Sequence, residues 1–267
     1  MEQHHHERST FSGKLGFVLS AAGASVGLGN IWRFPYLAAK YGGGIFLLIY
    51  IILALTFGYS MIIAETALGR MTKKSPVGAF GKFGKSKWRS FGGWINAIIP
   101  ILIVPYYSVI GGWVIKYLIE YFAGHSKALA GDAYFTTFIS NGWSTEICFI
   151  IFTLFTLGII YAGVRNGIER VSKFMMPILI VLSLIIAVYS VTRPGAIEGV
   201  KYFLVPNFDH FSWMTVVSAM GQMFYSLSIA MGILITFGSY MKKDTSIEKS
   251  TENVEILILR LRSWLDL

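Results

Sequence analysis

Charge is scarce in this chain: Asp, Glu, Lys and Arg make up 14% of 267 residues, against roughly 25% in a soluble domain. With 54% hydrophobic residues and a mean hydropathy of +0.60, the composition excludes an ordinary water-soluble globule and places the chain in a bilayer. Cysteine is nearly absent. The single Cys148 excludes an internal disulfide and reads as a core or lipid-facing residue. Titratable groups do not converge within the apolar runs, and His125, His210 and Cys148 make no cluster. That argues against an intramembrane enzyme. The charged residues 1–8 lead into an apolar run too long for a signal-peptide core, with no small-residue cleavage site after it, so no cleavable signal is expected. The triplet His4-His5-His6 reads as a flexible tail and not as a metal site.

What remains is apolar and segmented. A membrane span needs about 20 apolar residues, and six runs qualify, with helices expected at about 14–39, 43–69, 90–122, 147–164, 170–192 and 213–241. The net charge of +9 does not imply nucleic acid, because the basic residues sit between spans. Lys73, Lys74, Lys82, Lys85, Lys87 and Arg89 follow the second span with no acid among them. Arg165, Arg170 and Lys173 follow the fourth, and Lys242 and Lys243 the sixth. The positive-inside rule then makes residues 1–13 and 242–267 cytoplasmic. Residues 195–209, with Pro206, are expected to hold short external helices. Residues 244–255 read as a polar loop. The run from Ile256 to Arg262 starts apolar and fails with two arginines, too short to span. It reads as an interfacial helix or as the product of a reading frame gone out of phase.

The first run is uncharged from 15 to 32, yet its middle is Gly23-Ala24-Ser25-Val26-Gly27-Leu28-Gly29-Asn30, followed by Arg33 and Pro35. Each glycine weakens a helix interior by about 1 kcal/mol relative to alanine. In hydrocarbon, the amides and carbonyls freed by an opened turn must find partners. A bound cation and a polar ligand supply them. The sixth run again carries Gly221, Gly232 and Gly238. Two interrupted helices separated by four intact ones is the pattern of transporters built from inverted repeats.

The match then becomes specific. Gly27-Leu28-Gly29-Asn30-Ile31-Trp32-Arg33-Phe34-Pro35-Tyr36, followed by Gly42-Gly43-Gly44-Ile45-Phe46, resembles the first-helix signature of the neurotransmitter:sodium symporter family, to which bacterial LeuT-like amino acid transporters belong. The resemblance runs from about residue 8 to 255. It takes in Glu65-Thr66-Ala67-Leu68-Gly69-Arg70, Tyr106-Tyr107 and Gly221-Gln222-Met223-Phe224-Tyr225-Ser226-Leu227-Ser228. It implies an all-α integral membrane protein with the LeuT-like fold: the first five-helix repeat plus helix six, with helices one and six interrupted. By the same resemblance the chain is a multi-pass protein of the plasma (cell inner) membrane, N-terminus cytoplasmic, surrounded by lipid and without a nucleic-acid partner. The function implied is sodium-coupled symport of a small neutral amino acid by alternating access. Family members carry about twice as many spans, so a truncated or frameshifted, transport-incompetent fragment is the expectation set beside it.

Site roles follow from the resemblance, position by position. Gly23 and Val26 match carbonyl donors of the second sodium site; Ser25, Asn30 and Ser226 match the first. Taken alone, Asn30 and Ser226 read as interhelical hydrogen-bonding residues. Ala24, Ser25, Gly27, Gly29, Ile103, Tyr107, Tyr225, Ser226, Ser228 and Met231 match the substrate site. Monoamine carriers of the family have an aspartate where this chain has Gly27, so the substrate is expected to bring its own carboxylate, held by Tyr107 and the 27–29 backbone. Arg33 matches the outer gate and Arg8 the inner, although either reads alone as a snorkelling charge. Glu65 matches a residue bracing the broken sixth helix. Tyr50, Gln222 and Ser226 match a chloride site of chloride-dependent members. Gly167 and Pro177 match the pattern that lets helix five unwind, a packing kink being the plainer reading.

Overall fold

The computed structural model describes residues 10–27, 29–82, 87–242 and 244–265, and among these the secondary structure is helical apart from one isolated bridge between Gly43 and Pro206. Span one comprises α1 (Lys14–Ser25), a π-helical turn (Gly29–Arg33) and α2 (Phe34–Lys40). Its halves meet at 64°. Span two comprises α3 (Gly44–Leu53), a π-helical turn (Ala54–Gly58) and α4 (Tyr59–Thr72). After the short α5 (Pro76–Gly81), span three is the 36-residue α6 (Lys87–Phe122), which contains Pro100 and Pro105. Two short helices, α7 (Ser126–Leu129) and α8 (Asp132–Ser140), precede span four, α9 (Gly142–Tyr161). A π-helical turn (Val164–Glu169) leads into span five, α10 (Arg170–Val191). The connection to span six holds α11 (Ala196–Leu204) and a 3₁₀ turn (Phe208–His210). Span six is split into α12 (Trp213–Ser226) and α13 (Ile233–Ser239), and α14 (Ile247–Leu265) closes the description.

Four described helical segments are long and apolar enough to cross a membrane: Gly44–Thr72, Phe91–Phe122, Gly142–Tyr161 and Val164–Val191. The bent first span makes a fifth. At 1.5 Å per residue, neither half of span six crosses alone. Span four starts five residues before its apolar run because Asn141 caps it, its side chain accepting from Ser144 N at 3.2 Å.

Two corrections concern the segment after span six and the connection before span five. Residues 247–255, expected as polar loop, belong to α14. Ser250, Thr251 and Val254 are buried, a helical stripe that packs on α1, α4 and α10. Small hydroxyl side chains let that helix sit close, and hydropathy does not register them. The basic connection before span five also conceals a buried acid. Glu169 accepts from Ser12 N at 2.9 Å and from Lys173 Nζ at 2.6 Å, tying the start of the chain to span five.

The tightest helix packing is between α13 and α4. A side chain on Gly69 would run into the Ile235 carbonyl, and one on Gly238 into that of Thr66. Small residues that let backbones touch are how helices associate where lipid removes any hydrophobic drive. Phe34 anchors the other side, edge-on to Phe46, Tyr50 and Phe203. Spans three to five are exposed over most of their length. The most exposed aromatics, Phe122, Trp143, Tyr161 and Trp213, sit at helix ends, where hydrocarbon meets headgroups.

Gly69→Val is expected to lower the thermal midpoint in detergent by roughly 3–10 °C, because the overpacked carbonyl must move. Gly81→Ala, where a Cβ meets nothing within 4 Å, should leave the midpoint within about a degree.

Candidate functional site

The two helix breaks face each other, and each supplies partners for the other. In span one, Val26 leaves the helix in an extended conformation, its N–H still donating to Ala22 O at 2.7 Å. Beyond the gap, Asn30 N donates to Gly27 O at 2.9 Å, while the Asn30 amide Nδ2 donates to Ser25 O at 2.9 Å. Span six completes the set. Gln222 Nε2 donates to Gly29 O at 3.0 Å and Ser228 Oγ to Ala24 O at 3.2 Å. In return, Ala230 N donates at 2.7 Å to Glu65 Oε1, a buried carboxylate on α4. Glu65 thus braces the sixth helix from the second.

The break in span six is held in left-handed backbone: Ser228, Ala230 and Gly232 have φ of 55°, 61° and 68°. For non-glycine residues that conformation costs of order 1–3 kcal/mol and persists only when the surroundings enforce it. Here the enforcing contacts are the Ser228–Ala24 and Ala230–Glu65 hydrogen bonds.

Between the breaks and α6 lies a cavity of about 340 Å³. Ala24, Ser25, Gly27, Gly29, Ile103, Tyr107, Tyr225, Ser228 and Met231 line it, with Gly23 and Asn30. Of the residues expected at the site, Val26 and Ser226 are buried just behind the lining. Ser226 Oγ accepts there from Gln222 Nε2 at 3.0 Å. Sequence reasoning missed Pro100, Val104 and Ile233, which also line the cavity. The first two were legible, since positions 100, 103, 104 and 107 form one helical stripe. Ile233 opens α13, two residues beyond Met231.

Among the described residues, no acidic or basic side chain lines the cavity. A Cβ on Gly27 would stand 3.9 Å from Tyr107 Cε1 and 4.0 Å from its hydroxyl, so the absent side chain leaves room beside that phenol. One on Gly29 would collide with the Tyr225 ring. Tyr107 and Tyr225 join α6 to α12 through their hydroxyls at 2.5 Å. The guanidinium of Arg33 lies 5.1 Å from the Tyr225 ring centre. It is exposed rather than seated in the cavity. Arg8 lies outside the described residues.

Span five flanks the first break, with Ser172 Oγ 3.5 Å from where a Gly23 Cβ would stand. Gly167 falls in the π-helical turn, close against the Ile159 carbonyl, and Pro177 lies inside an unbroken α10. Gln222 uses both amide protons within the protein, on Gly29 O and Ser226 Oγ, and Tyr50 is buried against Phe34. In this arrangement a chloride would have to displace those bonds.

Broken helices that share an uncharged cavity are the arrangement found in carriers of small solutes. The model of the sodium:neurotransmitter symporter family matches residues 8–149 and 135–259, and the chain belongs to that family. It is 36% identical over 251 residues to the uncharacterized sodium-dependent transporter YhdH of Bacillus subtilis, covering 92% of this chain and 55% of that one. A sodium-dependent transporter of Methanocaldococcus jannaschii, MJ1319, is 36% identical over 264 residues, 94% of this chain and 53% of that one. The human sodium- and chloride-dependent GABA transporter 2 is 29% identical over 287 residues, covering 88% and 46%. Among solved structures, MhsT in complex with L-phenylalanine superposes with a TM-score of 0.89 at 34% identity, over 97% of this chain and 60% of that one. The chain thus spans about half the length of the curated relatives it matches. It is a multi-pass membrane protein of the LeuT-like fold, and its relatives are transporters, not enzymes.

Glu65→Ala leaves the Ala230 amide buried without its acceptor, a loss of about 1–3 kcal/mol. The thermal midpoint in detergent is expected to fall by roughly 3–9 °C, and Glu65→Gln, which keeps an acceptor oxygen, by less than half of that. Equal midpoints for Glu65→Ala and the parent would show that the brace carries no stability.

Proposed function

We propose that the cavity binds a neutral α-amino acid with an apolar side chain together with sodium, and that the protein carries both across the cell membrane by alternating access, its N-terminus on the cytoplasmic side. The observation that carries the reading is the division of the cavity. Part of the lining is opened helix turns and small polar groups; the rest includes Pro100, Ile103 and Val104 of α6 and Ile233 of α13. Sodium, a hard cation, takes oxygen ligands, and backbone carbonyls are free to provide them only where a helix has opened. The carbonyl of Ser25, the amide of Asn30 and the hydroxyl of Ser226 would hold one ion, and the carbonyls of Gly23 and Val26 part of a second.

The substrate class follows from charge. With no acid in the lining, nothing balances a lone amine, so the ligand brings its own carboxylate. That carboxylate would sit at the N-terminal end of the outer half-helix, against the 27–29 backbone and the Tyr107 hydroxyl. The apolar part of the lining and Met231 accept a medium to large aliphatic or aromatic side chain. MhsT with L-phenylalanine in its structure is consistent with that choice.

Purified protein in detergent is expected to bind labelled L-leucine or L-phenylalanine in sodium chloride and to lose that binding when potassium replaces sodium. Binding that ignores the cation, or none at all, would reject the reading. Gly27→Asp places a carboxylate beside Tyr107, where like charge costs several kcal/mol. Amino acid affinity should drop at least about a hundredfold.

A further inference from the structure

We propose that the hydroxyl of Tyr225 is a second donor to the ligand carboxylate, so that Tyr107 and Tyr225 act as a two-phenol clamp that selects carboxylates over their neutral isosteres. The inference rests on the reading of the site as an amino acid site.

The two hydroxyls lie 2.5 Å apart, and both side chains line the cavity. Neither has another hydrogen-bond partner among the described residues. Two phenols carry two protons, and the bond between them uses one. The second proton has no acceptor among the described residues. No carboxylate among them lines the cavity to take it. A carboxylate entering beside Gly27 meets a donor pair already paired in space. Both phenols donate to the anion once the bond between them gives way, an exchange favoured because hydrogen bonds to an ionised acceptor are roughly twice as strong as neutral ones.

The hydroxyl is not needed to hold the ring. Tyr225 is packed against Gly29, where even a Cβ would collide with it, and Arg33 stacks on the ring at 5.1 Å. The rings of Tyr107 and Tyr225 are 6.4 Å apart, tilted by 37°. Packing therefore sets where the ring sits, and the oxygen is left free to act on the ligand.

Tyr225→Phe tests this, because it removes the oxygen and keeps the ring. Sodium-dependent binding of L-phenylalanine and L-leucine, and of their carboxamides, would be measured by competition on the parent and variant proteins. Loss of one charge-assisted bond predicts a drop of about tenfold for both amino acids and less than about twofold for both carboxamides. Unchanged or tighter amino acid binding overturns the clamp. So does an equal loss for acid and amide, which would report a disturbed site and not a lost donor. If the parent binds neither amino acid with sodium, the amino acid reading falls and the clamp with it; if the parent binds and the variant does not differ, the clamp alone falls.

Discussion

A backbone amide or carbonyl that leaves a helix inside hydrocarbon has no water to turn to. Span one leaves its α-helix after Ser25 and span six after Ser226, so the two openings need partners, and the fold's central contacts are those partners. Asn30, Gln222 and Ser228 satisfy carbonyls of span one, and Glu65 satisfies an amide of span six. None of these side chains is decorative. Remove one and a main-chain group is stranded in an apolar medium.

That constraint also fixes what surrounds the breaks. Ser228 and Ala230 hold left-handed backbone because their hydrogen bonds to Ala24 and Glu65 over-determine it. Glu65 can reach Ala230 only because α13 lies against α4, and it lies there because Gly69 and Gly238 have no side chains. The cavity is therefore a product of close helix packing on one side and helix opening on the other. Its chemistry follows: oxygen-rich and uncharged at the breaks, aliphatic along α6. A sodium ion and a zwitterion with an apolar tail match that division more simply than a lone amine does.

Membership of the sodium:neurotransmitter symporter family accounts for the pairing of broken helices but not for each local choice. Gly27 and the hydroxyl of Tyr225 shape one corner of this site. The first leaves space and no charge; the second places an unused proton over that space. On the proposed reading, together they favour a ligand that carries its own anion.

Residue order is enough to read the six apolar runs and the broken first helix, because glycine spacing and hydropathy act locally; most of the lining was named only through the family resemblance. Pro100 and Val104 were within reach by the same periodicity. Other features depend on residues far apart in the chain meeting in space. Ser250, Thr251 and Val254 look like surface until α14 is packed on three neighbours. Glu169 looks like one charge in a basic loop until Ser12 and Lys173 close on it. The bond between Tyr107 and Tyr225 joins residues 118 positions apart, and no local pattern announces it. Sequence patterning thus settles where helices run and where they fail, since each is a property of neighbouring residues. Which groups then satisfy the failed turns, and which proton is left over for a ligand, is decided only when distant helices come into contact.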